Sequence, residues 1–365
     1  RDEGVPDITE FLQQNMKPGQ TLGFDGRVIS AQAGKDYEKR LAAKQVSIVY
    51  DRDLAETIWT DRPAFPAGKV TVLEEEIAGR SFEEKRGDVM QKVEKEGAES
   101  FLLTKLDDLM WLFNIRGCDV ECNPVAISYG YLTKEKTVLF IQKSALDDSV
   151  WSYLNEKGIE VEEYDEIVKY LQNLSAEGKI LVDGRYCSYC LYKTMAEKQT
   201  LVEKKNPTEL LKAIKNPVEL ANMEKYYLKD SLALTKFIHW LKKNIGRMEI
   251  TEITAADKLE AFRREIPECL GLSFPTIGGY KANAAMMHYE ATPESHAVLA
   301  PEGLFLVDSG GQYLGATTDV TRTIVLGPIS EEIKRHYTAV AAGMLQMTNA
   351  RWLHGCTGRN LDILA

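Results

Sequence analysis

The chain lacks any apolar run that approaches the roughly 20 residues a helix needs to cross a bilayer, so we predict no membrane partner. It also lacks an excess of basic residues, since 45 Lys and Arg stand against 55 Asp and Glu, a net charge of −10. Phosphate binding needs clustered Lys and Arg, so no nucleic-acid partner is expected. Six cysteines in 365 residues are too few for a disulfide-stapled fold, which favours a reduced, cytoplasmic setting.

Two of the cysteines, Cys187 and Cys190, have the spacing found in redox and zinc pairs. No second pair of this kind and no pair of histidines accompanies them in the sequence. We interpret them as ordinary half-buried thiols, and a redox or zinc role stays open at this point.

Length and pattern together predict three domains, α/β followed by α+β, because 365 residues exceed one ordinary core. Residues 1–64 are predicted to form part of an α/β unit with a parallel sheet, and residues 65–210 a second, complete α/β domain. Residues 211–365 begin with a capping box at Asn216 and Glu219 and continue into an antiparallel sheet. Both ends of the chain interrupt these patterns, so we expect it to be part of a longer protein.

Two aspartates occupy a predicted hairpin that is otherwise apolar and β-branched, LFLVDSGGQYLGATTDVTRTIVLG. If it turns at Tyr313 and Leu314, Asp308 and Asp319 face each other with Cβ atoms about 4.5–5.5 Å apart. Ionised carboxylates at that distance repel unless a proton or a cation lies between them, and two divalent ions would fit. The alternative is that Asp308 caps a turn and Asp319 is solvated on an edge strand.

Two further residues are candidates for contacts with a substrate. His288 lies in AAMMHYEAT, which we predict to be a strand whose polar continuation reaches a cleft. A lone histidine in an apolar strand is usually a core residue, and at a cleft it could donate to a substrate oxygen. Arg116 lies in a break between a helix and a hairpin, where a charged residue is normally solvated; a reach into a neighbouring site is the alternative.

The segments DSGGQY and TTDVTRTI together resemble the metal hairpin of the M24 metallopeptidases, the creatinase or pita-bread family. The layout is similar to the three-domain form of that family, the Xaa-Pro aminopeptidases (aminopeptidase P). Further segments carry the resemblance, at 56–63, 111–129, 252–265, 272–279 and 287–292. It implies creatinase N-terminal-like α/β domains in residues 1–64 and 65–210, followed by part of a pita-bread α+β domain in residues 211–365.

The resemblance also implies an activity and a site. It implies a homodimeric hydrolase in which a metal-activated hydroxide removes the residue before a proline in the second position of a peptide. Two divalent ions are implied, commonly manganese and sometimes zinc, with Asp308 touching one and Asp319 bridging both. His288 would help to position the substrate and stabilise the oxyanion, and Arg116 would contact the substrate.

Three ligands of the resembled family, one His and two Glu, would follow the hairpin beyond residue 365. The chain by itself is therefore expected to be inactive. Two other functions stay open: a proline dipeptidase with the same metal site, or a non-catalytic pita-bread module that binds peptides or proteins.

Overall fold

The computed structural model describes residues 4–175 and 178–364. By its contacts the chain divides into two compact units, Arg1–Asn222 (unit 1) and Met223–Ala365 (unit 2). The three-domain division at 64/65 and 210/211 stays a prediction. Within the described ranges, each helix is either too short or too polar to cross a membrane.

Unit 1 begins with the predicted α/β pattern. Helix α1 (Ile8–Asn15) precedes strand β1 (Thr21–Gly23), and α2 (Ala31–Leu41) leads to β2 (Ser47–Val49). Strands β1 and β2 pair in parallel, as predicted. The side chain of Ser30 caps α2 by accepting the N–H of Ala33. Residues 57–70, which follow, contain no helix or strand.

The rest of unit 1 is a mixed sheet with helices. Its strands are β3 (Thr71–Val72), β4 (Ser100–Leu103), β5 (Ile115–Arg116), β6 (Ser128–Thr133), β7 (Thr137–Ile141), β8 (Glu160–Glu162), β9 (Lys179–Val182) and β10 (Thr200–Glu203). Its helices are α3 (Glu75–Ala78), α4 (Phe82–Lys95), α5 (Leu106–Phe113), α6 (Asp148–Glu156), α7 (Ile167–Gln172), α8 (Tyr189–Ala196), α9 (Pro207–Ala213) and the first part of α10 (Pro217–Asn244). Six strands form one sheet in the order β10-β9-β4-β6-β7-β8, and β3 pairs with β5.

Apolar cores lie on both faces of the six-stranded sheet. Along β4, Phe101 and Leu103 enter one core cluster while Leu102 enters another. Successive residues of a strand point to opposite faces, so a strand buried on both sides is apolar without alternation. The wholly buried sequences of β4 and β7 follow this rule and mark the centre of the unit.

The segment 29–34, at the start of α2, packs against the sheet domain within unit 1. The N–H of Ala31 donates to the carbonyl of Cys187, and the N–H of Tyr189 donates to that of Ile29. Gly34 of α2 lies against the ring of Tyr189, where a Cβ would collide with the ring. The close approach of α2 and α8 therefore requires glycine at this position.

Unit 2 is an α+β domain, which agrees with the predicted class. It contains the end of α10, then α11 (Glu252–Arg264), β11 (Cys269–Leu272), β12 (Ile277–Tyr280), β13 (Leu304–Ser309), β14 (Gly311–Tyr313), β15 (Ala316–Thr317), β16 (Val320–Val325), α12 (Glu331–Asn349) and α13 (Gly358–Leu361). The strands form two antiparallel sheets, β11-β14-β15 and β12-β13-β16. The helix start at Asn216 is confirmed, because Asn216 and Glu219 each accept the backbone N–H of the other.

The core of unit 2 joins the two long helices to one face of the sheet. Phe237 and Leu241 of α10 and Leu259 of α11 pack in a cluster with Phe305 and Val307 of β13. Residues 305 and 307 alternate with half-buried neighbours, so the second face of β13 is turned away from this core. The candidate site lies on that second face.

Candidate metal centre

Asp308 lies on the face of β13 that points away from the core. Strand β13 pairs with β12 on one side, where Ile277 is opposite Asp308, and with β16 on the other, where Thr321 is opposite Asp308. The Thr321 hydroxyl donates to Oδ1 of Asp308 at 2.8 Å. Asp308 thus bonds across the sheet, whereas the turn-cap alternative would bond it to the following turn.

The predicted register of the hairpin is wrong, because the turn lies one residue further along the chain than we expected. The two-residue turn is Leu314-Gly315, since Tyr313 pairs with Ala316, so Asp308 faces Thr321 and not Asp319. The cause is tertiary: Tyr313 is buried, stacks on Tyr226 with ring centroids 5.3 Å apart, and therefore cannot occupy the turn.

Asp319 lies outside the strands, in the break between β15 and β16, and is not paired with Asp308. It precedes by two residues Thr321, the direct partner of Asp308. The two aspartates are therefore not the directly opposed pair that we expected.

Both aspartates and His288 line one cleft of about 440 Å³. The remaining lining side chains come from the segment before and within β12 and from the residues after His288: Phe274, Pro275, Thr276, Ile277, Tyr289 and Glu290. The cleft therefore combines an apolar wall with several oxygen donors and one imidazole, which is typical of a small-molecule or peptide site.

The segment that carries His288 is not the strand that we predicted. Residues Lys281–Ala285 form a 3₁₀ helix, and His288 lies in the following turn with φ of 56°, exposed to solvent. The apolar residues of AAMMHYEAT do not alternate with polar ones, so they give no strand face to bury. His288 nevertheless reaches the cleft, and its role with substrate stays a prediction.

Sequence reasoning missed three cleft residues whose side chains carry oxygen: Thr276, Tyr289 and Glu290. Glu290 shares the loop of His288, and Thr276 precedes β12. The hydroxyl oxygen of Thr276 is buried and has no hydrogen-bond partner in the described part of the chain. A pattern for Glu290 was available, because it follows His288 by two residues in a polar stretch, whereas a threonine after Phe-Pro gives no such signal.

The donors of the cleft fit part of a divalent-ion site. Carboxylate oxygens suit Mg²⁺, Ca²⁺ and Mn²⁺. Among the described atoms of residues 4–175 and 178–364, none provides a hydrogen bond or ion pair to the Asp319 side chain. The Asp308 side chain accepts a hydrogen bond only through Oδ1. Across the same residues no group of three or more His, Cys, Asp or Glu side chains is placed to hold a metal. The hairpin thus offers two candidate carboxylates and not a complete set of ligands, and their role as ligands stays a prediction.

The guanidinium of Arg116 is bonded within unit 1. It donates to the carbonyls of Ile115 at 2.8 Å and Met110 at 3.2 Å. Burial lowers the pKa of Arg116 to about 10, opposed by the charge of Glu219, so the side chain stays positive at neutral pH. Its contact with substrate stays a prediction.

The Cys187–Cys190 pair is explained by packing. All six cysteines are free, and Cys187 is buried while Cys190 is half-buried. Burial raises the pKa of both thiols, so neither is a thiolate at neutral pH. This agrees with our interpretation of ordinary thiols, except that Cys187 is fully buried and not half-buried.

Comparison with known proteins covers both units. Residues 61–219 match the model of the creatinase/prolidase N-terminal domain, and residues 221–365 match that of metallopeptidase family M24. Aminopeptidase P1 of Arabidopsis thaliana is 33% identical over 99% of this chain and 63% of its own length. A probable Xaa-Pro aminopeptidase P of Tuber melanosporum is 33% identical over 100% of this chain and 62% of its own length. The chain thus spans about three fifths of the length of these relatives.

A solved structure is similar over the whole chain. The X-prolyl aminopeptidase from Caenorhabditis elegans superposes with a TM-score of 0.92 and 29% identity, covering 100% of this chain and 60% of that one. It is described as a cytosolic enzyme with a di-nuclear active site. The Xaa-Pro dipeptidase from Bacillus anthracis, with a TM-score of 0.60 and 21% identity, shares the fold.

Proposed function

The chain belongs to metallopeptidase family M24, with a creatinase/prolidase N-terminal domain before the M24 domain, and on that premise we propose that the whole protein is a proline-specific metalloaminopeptidase. It removes the N-terminal residue from peptides with proline in the second position. The observation that carries the proposal is the meeting of Asp308, Asp319 and His288 in one cleft of unit 2. Relatives 33% identical to the chain bear names of this activity, which supports the same assignment.

In this proposal the hairpin holds the metal and the loop holds the substrate. Asp308 and Asp319 provide carboxylate ligands, and Thr321 fixes the Asp308 carboxylate through its hydroxyl. Two divalent ions bound there would supply charge that lowers the pKa of water and polarises the peptide carbonyl. His288 donates a hydrogen bond to the carbonyl oxygen as negative charge develops on it. Arg116 contributes to substrate binding.

Three finer features belong to the proposal. Manganese is the preferred ion and zinc the alternative, since the two carboxylates of the hairpin are hard oxygen ligands. The protein is a homodimer and acts in the cytosol. Support for the location comes from the C. elegans enzyme, which is described as cytosolic, and from the six free cysteines of this chain.

A pair of tripeptides that differ only at the second residue tests the activity. With Mn²⁺ or Zn²⁺ present, the whole protein should release the first residue from the peptide with proline second and not from the one with alanine. Equal cleavage of both would contradict the proline specificity, and cleavage of neither would contradict the enzyme. Cleavage of an Xaa-Pro dipeptide but of neither tripeptide would identify a proline dipeptidase instead.

Metal binding is measured independently of hydrolysis. Isothermal titration with Mn²⁺ should show binding that Asp319→Asn removes, while circular dichroism shows an unchanged fold. Asp257→Asn is the matched control, since Asp257 is an exposed aspartate of α11 that does not line the cleft. Equal Mn²⁺ affinity in the wild type and Asp319→Asn would show that Asp319 is not a ligand.

A further inference from the structure

A buried carboxylate behind the cleft holds both ends of the loop that carries His288. Glu252 is the first residue of α11, and its side chain is 1% exposed. It accepts the backbone N–H of Tyr280 at 2.7 Å and that of Ala297 at 2.8 Å. These two residues flank the segment 281–296, which we call the His288 loop. One carboxylate therefore fixes the points where the loop leaves and rejoins the domain.

The same carboxylate also bonds to side chains inside the loop. The Tyr289 hydroxyl lies 2.8 Å from Oε2 of Glu252, and Nδ2 of Asn283 lies 3.0 Å from Oε1 and 3.2 Å from Oε2. Burial, together with the hydrogen bond to Glu252, raises the pKa of Tyr289 to about 12, so its hydroxyl stays a neutral donor. Glu252 thus accepts hydrogen bonds from both ends and from the interior of one loop.

The conformation of His288 needs such support. Its φ of 56° lies in the left-handed region, where a residue with a Cβ is disfavoured and persists only if its surroundings fix it. Tyr289, the next residue, is bonded to Glu252 and lines the same cleft as His288. The hydrogen bond one residue away therefore restrains the backbone that directs the imidazole.

We propose that Glu252 is a positioning residue of the cleft, which holds His288 beside Asp308 and Asp319 through Tyr289 and Asn283. Glu252 is not among the side chains that line the cleft, so it acts through the loop and not on a bound molecule. The kinetic part of the test rests on the proposed function, whereas the part that measures loop mobility does not.

Hydrogen exchange of peptides from the His288 loop measures the restraint directly. Glu252→Gln places an amide group against donors that need an acceptor. Because hydrogen bonds to charged groups are among the stronger ones, hydrogen exchange of the His288 loop should become about ten-fold faster or more. Thr251→Ala is the matched control, because it removes the side-chain cap of α11 and leaves the Glu252 contacts in place. Exchange no faster in Glu252→Gln than in Thr251→Ala would overturn the proposal.

A double-mutant cycle separates positioning from loss of fold. Glu252→Gln should lower kcat/KM on the proline tripeptide about ten-fold, mainly through kcat, and have almost no further effect when His288 is already Ala. If Glu252→Gln and His288→Ala lower kcat/KM by factors that multiply in the double mutant, the proposal is overturned. If Glu252→Gln does not fold, Tyr289→Phe replaces it in both measurements with the same expectations. A wild-type protein that hydrolyses no Xaa-Pro peptide contradicts the proposed function, and loop exchange then still decides the role of Glu252.

Discussion

Asp230→Asn tests the buried ion pair that fixes the hairpin of unit 2. Asp230 of α10 accepts two hydrogen bonds from Arg263 of α11. Its Oδ1 accepts from Nε at 2.7 Å, and its Oδ2 accepts from Nη2 at 3.2 Å. The Tyr313 hydroxyl of β14 donates to the same Oδ1 at 2.6 Å. The charged side chains are 0% and 3% exposed. Two helices and the strand before the hairpin turn therefore meet at one carboxylate.

The expected loss of stability is large because the remaining charge cannot reach water. Asparagine leaves the Arg263 guanidinium buried without a counter-charge, and removing one partner of a buried pair costs about 3–5 kcal/mol. Nη1 of Arg263 already lacks a partner among the described atoms, so no second acceptor is at hand. Tyr313→Phe should cost about 1.5–3 kcal/mol for the lost bond to a charged group. The triple change Asp230→Leu, Arg263→Met and Tyr313→Phe, which leaves no polar partner of the pair behind, should be close to neutral.

The assay must report unit 2 alone, because a chain of two units need not unfold in one step. Hydrogen exchange of peptides from α10 and α11 in increasing urea meets this condition. The matched control is Arg264→Met, which breaks the exposed Arg264–Glu260 pair on the same helix and should cost no more than about 0.5 kcal/mol. A loss in Asp230→Asn as small as that in Arg264→Met would refute the reasoning.

Two further predictions concern stability. Burial lowers the pKa of Lys85 from an ordinary 10.5 to about 8, so between those values the unfolded chain binds more protons and stability should rise with pH. Denaturation between pH 7.5 and 10.5 should show a gain of about 3 kcal/mol that Lys85→Met removes; an equal gain in Lys85→Met would contradict this origin. Gly310→Ala would drive a Cβ into the Thr318 carbonyl and the Ser273 hydroxyl, so urea denaturation should show a loss of about 1–3 kcal/mol. Gly87→Ala, with open space around the Cβ on α4, should instead stabilise by up to about 1 kcal/mol; equal effects of the two changes would contradict the clash.

The features that the sequence predicted correctly are those fixed by near neighbours. Asn216 and Glu219 form the predicted capping box of α10, because the box lies within four residues. The family was recognisable because short segments around the hairpin and around His288 keep residue types that the chemistry needs.

The features that the sequence did not predict depend on contacts far apart in the chain. The register of the hairpin follows from Tyr313, which is held by Asp230 and Tyr226 more than 80 residues earlier. The turn at His288 follows from Glu252, which lies 37 residues before Tyr289. Neither partner is visible in a local pattern, so a strand at His288 and a turn at Tyr313 were reasonable but wrong expectations.

The two faces of β13 explain how a core hairpin tolerates two carboxylates. Phe305 and Val307 pack into the core on one face, while Asp308 is half-buried on the other and Asp319 is exposed. The stability of the hairpin comes from the first face, and the carboxylates lose little hydration because they keep contact with solvent. The fold therefore does not require Asp308 and Asp319, so a role in stability does not explain them. Their presence on one cleft with His288 agrees with the ion and substrate binding that we propose.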